Sequence, residues 1–144
     1  MSQTHFYEVN VQWKAGRIGE LSSPVLSETI TCATPPEFPN GVPNVWSPEH
    51  LFVAAINSCY MATFLAIAGN FKVEIENFSC RTVAKLEMVD GKYLFTTAEM
   101  FPVIKIADAH HDTEKTQRIA EKAKAGCLVT NSMKTAITLT PSIS

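Results

Sequence analysis

The sequence has little of what marks several common protein classes. It contains no run of Lys or Arg, and its formal net charge is −2 over 144 residues, so it offers no basic face for nucleic acid. No N-terminal segment combines a basic start with an apolar run, so we expect no signal peptide and a cytoplasmic location. The four cysteines include no Cys-x-x-Cys pair, which favours reduced thiols over a disulfide framework. The length predicts a single domain over residues 1–144.

The longest apolar stretch, residues 51–68, is bounded by helix signals at both ends. Ser47 is a favoured N-cap, Pro48 suits the first helical position, and Glu49 complements the helix dipole. Gly69-Asn70 then form a helix-ending pair. The pattern predicts a long helix between these signals.

Polar side chains at Asn57, Ser58 and Thr63 interrupt this run, which otherwise approaches the length of a membrane span. We therefore interpret it as a core helix. A helix without a polar face is expected to be buried on all sides. One small sheet covers little more than one side, so we predict an obligate homodimer in which the two central helices pack together.

The remaining chain predicts an α+β domain in which strands surround this helix. The pair Asp90-Gly91 is a strong hairpin signal, and four prolines indicate an extended loop over 33–46. The other predicted elements are strands over 5–13, 17–22, 26–32, 78–89, 92–106 and 135–140, an amphipathic helix starting at Asp112 or Thr113 with Ile119, Ala120 and Ala123 on its apolar stripe, and a helical turn over 128–134.

Cys59, in the middle of the apolar helix, is the first candidate for chemistry. A free cysteine often behaves as a small buried hydrophobe, and that interpretation stays open. Arg17 lies in a turn between glycines, and Cys127 follows Gly126, which permits a close backbone approach. A neighbouring Arg lowers a thiol pKa from about 8.5 to between roughly 3.5 and 7.5.

Three blocks of the sequence resemble the OsmC/Ohr family of peroxidases in their order and spacing. The stretch 47–59, Ser-Pro-Glu-His-Leu-Phe-x-Ala-Ala-x-x-x-Cys, resembles the family's Asn-Pro-Glu-x-Leu block that ends in cysteine. The block Cys127-Leu-Val-Thr-Asn resembles its Cys-Pro-x-Ser-Asn block, with leucine in place of proline. The turn Gly-Arg17-x-Gly resembles its Gly-Arg-x-Gly turn.

The resemblance implies a thiol peroxidase that reduces organic hydroperoxides in oxidative-stress defence. Cys59 would be the peroxidatic cysteine, Cys127 the resolving cysteine, Arg17 the group that stabilises the thiolate, and Glu49 the group that orients Arg17. It implies no bound cofactor or metal, and an external dithiol as reductant. The implied fold is a swapped homodimer with two long central helices and active sites at the interface. Apolar walls would favour an alkyl peroxide over hydrogen peroxide, and we assign them to Leu51, Phe52, Tyr60 and Phe64 or to the same residues of the partner subunit.

Helix geometry limits how these residues combine. Glu49 and Cys59 are ten positions apart, which is about 15 Å along an ideal helix. Either Arg17 spans part of that gap, or Glu49 acts from the partner subunit. We favour the partner.

Two other functions remain as alternatives. A small-molecule-binding or stress-associated protein on the same fold needs no reactive pair. A thiol hydrolase needs a histidine base, but we expect His50 to be a surface residue at the helix start. Adjacent His110-His111 do not predict a zinc site, and we assign Cys32 and Cys80 no chemical role.

Overall fold

The computed structural model describes residues 3–144. The chain divides into two compact units, Met1–Phe52 and Val53–Ser144, which are described separately below. That the whole chain forms one domain stays a prediction.

The first unit contains a three-stranded antiparallel sheet. Its strands are β1 (Asn10–Ala15), β2 (Ile18–Ser22) and β3 (Ile30–Ala33), which pair in that order. Both β1 and β3 begin several residues later than the sequence predicts. The pairing explains this, because Asn10 already lies opposite Ser22, the last residue of β2, and β3 begins at Ile30, where its pairing with β2 starts opposite Leu21.

The residues before and within β1 are apolar but exposed in the single chain. All six residues of β1 are exposed. Phe6, Tyr7 and Trp13 keep 93%, 90% and 70% of their surface accessible. Aromatic side chains contribute to stability when they are buried, so this strand presents a surface that the chain itself does not cover.

The proline-rich segment is a loop, as predicted, but it is folded on itself rather than extended. The N–H groups of Phe38 and Gly41 donate to the carbonyl oxygens of Pro35 and Phe38, at 3.1 and 3.0 Å. The N–H of Val42 donates to the oxygen of Thr34 at 2.9 Å. A Cβ on Gly41 would lie 2.5 Å from the carbonyl carbon of Pro35, so glycine is required for this close approach.

The central helix α1 spans Pro48–Asn70, as the sequence predicts. Ser47 caps it, since its Oγ accepts a hydrogen bond of 3.1 Å from the N–H of His50. The helix has the length and apolar composition of a membrane span, yet one stripe of it packs into the core of the second unit. That stripe consists of Ile56, Tyr60, Phe64 and Ala68. The expectation that the helix is buried on all sides is therefore wrong for the single chain, because the hairpin covers only one face.

The second unit is built on a long hairpin of β4 (Ile75–Val89) and β5 (Lys92–Ile106). Asp90 and Gly91 form its turn with φ values of 50° and 80°, and positive φ at both positions defines a type I′ turn. The strands β6 (Ala136–Leu139) and β7 (Ser142–Ile143) then pair with β5 in parallel.

Contacts between tilted aromatic rings hold α1 on the hairpin. The rings of Phe64 and Phe78 have centroids 5.3 Å apart, and the Tyr60 ring lies 6.1 Å from that of Phe78. Near the helix middle, the hydroxyl of Thr82 on β4 donates to Asn57 Oδ1 at 2.5 Å.

Helix α2 (Ala109–Gly126) begins before Asp112, where the sequence prediction placed its start. The side chain of Asp108 caps it by accepting a hydrogen bond of 3.2 Å from the N–H of His111. The predicted apolar stripe is confirmed, and Thr116 is buried with it. The chain then forms the single turn α3 (Leu128–Asn131), which is shorter than predicted.

Candidate functional site

Cys59 lies in the middle of α1, one position before the buried Tyr60, and is partly exposed. Thr63 follows one turn later on the same face of the helix. Its Oγ1 donates a hydrogen bond of 2.8 Å to the carbonyl oxygen of Cys59 and lies 4.0 Å from the Cys59 Sγ. A hydroxyl group therefore lies directly beside the thiol.

Cys127 occupies the junction between α2 and α3 and is fully buried. Gly126 ends α2, so the chain turns at this point and the next residues start a new helical turn. The Cys127 side chain is among the neighbouring groups that lower the pKa of the Cys59 thiol, and both cysteines are free. The structure thus brings together two reduced thiols from distant parts of the sequence.

The surroundings of Cys59 change its acidity. Burial by itself raises the pKa of this thiol. Hydrogen bonds to the sulfur outweigh burial, so the net pKa of Cys59 lies below the ordinary value of a thiol. The groups that make them are the Val129 N–H, the Cys127 side chain, the Thr63 hydroxyl and the Leu128 N–H. Hydrogen bonds to the charged form of a group favour that form. Cys59 is therefore more acidic than a free cysteine, and the thiolate is the nucleophilic form.

Arg17 and Glu49 belong to the first unit. Arg17 follows Gly16, whose φ is +56°. It is exposed and borders a shallow surface depression of about 480 Å³, lined also by Ala15, Gly16, Ile18, Asn40 and Val42. An exposed guanidinium beside an open depression is available to a partner group.

Glu49 lies in the first turn of α1. Its Oε1 is buried, and no group among residues 3–144 donates a hydrogen bond to it. Leaving a buried acceptor unsatisfied is costly. Over the same residues no ion pair joins Glu49 to Arg17, so their pairing stays a prediction.

Three groups next to Cys59 are not predicted from the sequence: the Thr63 hydroxyl and the N–H groups of Leu128 and Val129. Thr63 was detectable, because a residue four positions after a helical cysteine shares its face. The two backbone N–H groups were not, since only the fold places them beside α1.

Two assignments of apolar wall residues are wrong for the single chain. Tyr60 and Phe64 are fully buried against the hairpin, so they cannot line a pocket that admits substrate. Leu128 has 70% of its surface exposed and directly follows Cys127, so it is an accessible apolar side chain next to this thiol in the chain.

His50, Cys80 and Cys32 have neighbours that give them no place in the thiol site. His50 is exposed, as expected, and its Nδ1 lies 2.6 Å from the Ser47 Oγ. Cys80 lies on β4 with Sγ 3.7 Å from Thr82 Oγ1, and burial raises its pKa. Cys32 lies opposite Gly19 in the first unit's sheet. Residues 3–144 contain no cluster of three or more His, Cys, Asp or Glu side chains that could hold a metal ion.

Comparison with known proteins gives a match for most of the chain. The family model for OsmC-like proteins matches residues 41–142, a range that includes Glu49, Cys59 and Cys127. No curated protein matches the chain significantly.

Solved structures resemble the fold over nearly its whole length. An OsmC-like protein of unknown function from Vibrio cholerae is 21% identical, with a TM-score of 0.86 over 96% of this chain and 99% of its own. An organic hydroperoxide resistance protein from Elizabethkingia anophelis, with thiocyanate bound, is 18% identical, with a TM-score of 0.77 over 100% and 99%. A third, from Legionella pneumophila, is 18% identical, with a TM-score of 0.73 over 99% of each chain. At these identities the likeness establishes the fold.

Proposed function

Because the chain belongs to the OsmC-like protein family, we propose that it is a cysteine-based peroxidase that reduces organic hydroperoxides in oxidative-stress defence. The observation that carries this proposal is that Cys59 has a lowered pKa and that the neighbouring side chain of Cys127 contributes to this shift, with both thiols free. A thiolate with a second thiol as a neighbour has what it needs to reduce a peroxide and then resolve the product.

In the first step, the Cys59 thiolate attacks the distal oxygen of the hydroperoxide. The new S–O bond forms as the O–O bond breaks, and the leaving alkoxide takes a proton to become an alcohol. The sulfur is oxidised to sulfenic acid and the peroxide is reduced. The lowered pKa of Cys59 raises the fraction of reactive thiolate at neutral pH.

In the second step, the sulfur of Cys127 attacks the Cys59 sulfenic acid, and a disulfide forms as water leaves. This protects Cys59 from further oxidation, which is irreversible beyond the sulfinic stage. An external dithiol then reduces the disulfide by exchange. The cycle needs no bound cofactor or metal, and the proposed location is the cytoplasm.

The proposed enzyme is a homodimer with exchanged segments. Besides the buried stripe, α1 exposes apolar side chains, and Met61 and Leu65 each keep 41% of their surface accessible. The exposed aromatic residues before and within β1 form a second uncovered surface. A second copy of the chain would bury both. The buried, unsatisfied Oε1 of Glu49 and the exposed Arg17 are consistent with an ion pair completed at this interface, where Arg17 would stabilise the thiolate.

An alkyl hydroperoxide suits the surroundings of the thiols. Leu128 presents an exposed apolar side chain, and its own N–H hydrogen-bonds to Cys59. Contact with an alkyl group adds affinity of about 0.8 kcal/mol for each buried methylene. We therefore propose that organic hydroperoxides react in preference to hydrogen peroxide.

Peptide mapping of the fully reduced protein after one equivalent of an alkyl hydroperoxide tests the proposal. We expect a Cys59–Cys127 disulfide that is absent in Cys59→Ser and Cys127→Ser. Cys32→Ser, which removes a thiol in the other unit, is the matched control and should still form it. Four free thiols with unconsumed peroxide would refute the peroxidase and leave a binding protein on this fold.

A further inference from the structure

Thr63 has one hydroxyl proton and two possible acceptors for it. Its Oγ1 lies 2.8 Å from the carbonyl oxygen of Cys59 and 4.0 Å from the Cys59 sulfur, the outer limit for a hydrogen bond to sulfur. A hydroxyl donates one hydrogen bond at a time but also accepts. While Cys59 is protonated, its S–H can donate to Thr63 Oγ1 as the Thr63 O–H donates to the carbonyl.

We propose that Thr63 is a positioning residue of this site, whose hydroxyl donates to the Cys59 carbonyl beside the neutral thiol and turns to the sulfur when the thiolate forms. The negative sulfur is the stronger acceptor, because hydrogen bonds to ionised groups are about twice as strong as neutral ones. The Cys59 carbonyl then loses the Thr63 hydroxyl as a donor but is not left unsatisfied, because it still accepts the main-chain hydrogen bond of the helix. The inference rests on the proposed function for the identity of Cys59 as the reacting residue.

The methyl group of Thr63 faces the segment that leads into Cys127. A Cβ built on Gly126 would lie 3.6 Å from Thr63 Cγ2, an ordinary van der Waals distance. The methyl therefore occupies the space beside the segment that leads into Cys127. A rotation that exchanged methyl and hydroxyl would move the hydroxyl away from the sulfur. The Thr63 side chain thus lies beside Cys59 and faces the segment that leads into Cys127.

The acidity of Cys59 agrees with this role. Burial raises its pKa, and the Thr63 hydroxyl is among the donors that reverse the effect. The two backbone donors, at Leu128 and Val129, can be removed only by proline, which also fixes the backbone φ angle. Thr63 is therefore the donor whose contribution can be tested without removing a thiol.

The test is the pH dependence of alkylation of Cys59 by iodoacetamide in the fully reduced protein, followed on the Cys59 peptide by mass spectrometry. Thr63→Val keeps the shape and removes the hydroxyl, while Thr63→Ser keeps the hydroxyl. Thr116→Val is the matched control, because Thr116 is buried on α2 and makes the same hydrogen bond to the carbonyl four residues back, at 2.7 Å.

We expect Thr63→Val to raise the midpoint of the alkylation profile by roughly one pH unit, the effect of losing one hydrogen bond to a charged group. Thr63→Ser and Thr116→Val should keep the wild-type midpoint. Should Thr63→Val fold poorly, Thr63→Ala must show the same rise. A wild-type midpoint in the variants without the hydroxyl, or an equal rise in Thr116→Val, would overturn the inference. Alkylation needs no peroxide, so this result is independent of whether the protein is a peroxidase.

Discussion

The hydroxyl group of Tyr60 donates a hydrogen bond of 3.0 Å to the carbonyl oxygen of Ala120, and both residues are fully buried. This bond joins α1, one residue after Cys59, to the helix that leads to Cys127. Burial, with smaller contributions from Cys80, Glu121 and Cys127, raises the pKa of Tyr60 well above its usual value. The phenol therefore stays protonated at any physiological pH and remains a permanent donor.

We predict that Tyr60→Phe lowers the free energy of unfolding by roughly 0.5–1.5 kcal/mol, the usual net contribution of one hydrogen bond. The ring keeps its contacts with Phe64 and Phe78, and the Ala120 carbonyl keeps its main-chain hydrogen bond in α2. The variant should also form the Cys59–Cys127 disulfide more slowly. Urea unfolding and stopped-flow thiol titration measure the two effects, and wild-type values for both would contradict the prediction.

The lowered pKa of Cys59 predicts how stability changes with pH. Burial opposes the shift and hydrogen bonds outweigh it, so the folded pKa lies below the unfolded value of about 8.5. Between these values the unfolded chain binds more protons, so the free energy of unfolding rises with pH. The contribution is complete above the unfolded pKa and is lost as pH falls through the folded pKa.

Urea unfolding of the reduced protein and of Cys59→Ser, at several pH values, isolates this contribution. The difference in stability between them should grow in favour of the wild type as pH rises from below the folded pKa to about 9. A difference that is constant across this range would show that Cys59 has the same acidity in both states.

The proposed dimer predicts that a charge on the open face of α1 separates the subunits. Leu65→Glu places a carboxylate on a surface that the partner helix would bury. Burying an unpaired charge costs on the order of several kcal/mol. Gln117→Glu, on the exposed side of α2, is the matched control. Light scattering after gel filtration should give a dimer for the wild type and control and a monomer for Leu65→Glu. A monomeric wild type would disprove the dimer.

A mixed dimer tests whether Glu49 acts across the interface. Subunits with Glu49→Ala and subunits with Cys59→Ser are each expected to be inactive alone. If Glu49 serves the partner's Cys59, the mixed dimer holds one site that lacks both groups and one intact site, so about half of the wild-type peroxidase activity should return. No recovery would place Glu49 and Cys59 of one chain in the same site.

Substitution by alanine is expected to change the free energy of unfolding in opposite directions at Gly41 and Gly69. A Cβ on Gly41 would lie 2.5 Å from the Pro35 carbonyl carbon and 2.7 Å from the Pro36 Cα, whereas one on Gly69 meets nothing within 4 Å. Gly41→Ala should destabilise the protein by about 1–3 kcal/mol. Gly69→Ala should stabilise it by up to about 1 kcal/mol, because alanine is the better helix former. Thermal unfolding of both variants decides this.

Local signals in the sequence account for much of the fold. The cap at Ser47 and the Gly69-Asn70 stop predict α1 to within its observed bounds, and Asp90-Gly91 predicts the hairpin turn. In each case the physical cause lies within a few residues. The start of α2 was misplaced because Asp108, an equally good cap, lies one turn before the predicted position.

The thiol site depends on contacts that local signals do not contain. The sequence identified Cys59 and Cys127 as a pair only through a family resemblance, because the number of residues between them does not determine how far apart they lie in space. The donors at Leu128 and Val129 are main-chain groups without a side-chain signature. Composition likewise suggested that α1 is buried all round, although coverage depends on how many elements the single chain can pack against it.

The tight turn of the β4–β5 hairpin has a consequence for the order of folding. Its strands adjoin in sequence, so their pairing closes little chain and costs little loop entropy. Cys59 and Cys127 are on elements that flank the hairpin, and they meet only once α1 and α2 have docked. The hairpin is therefore expected to form first and the thiol contact late. A nascent chain would then hold its two cysteines apart until the structure that controls their reactivity is complete.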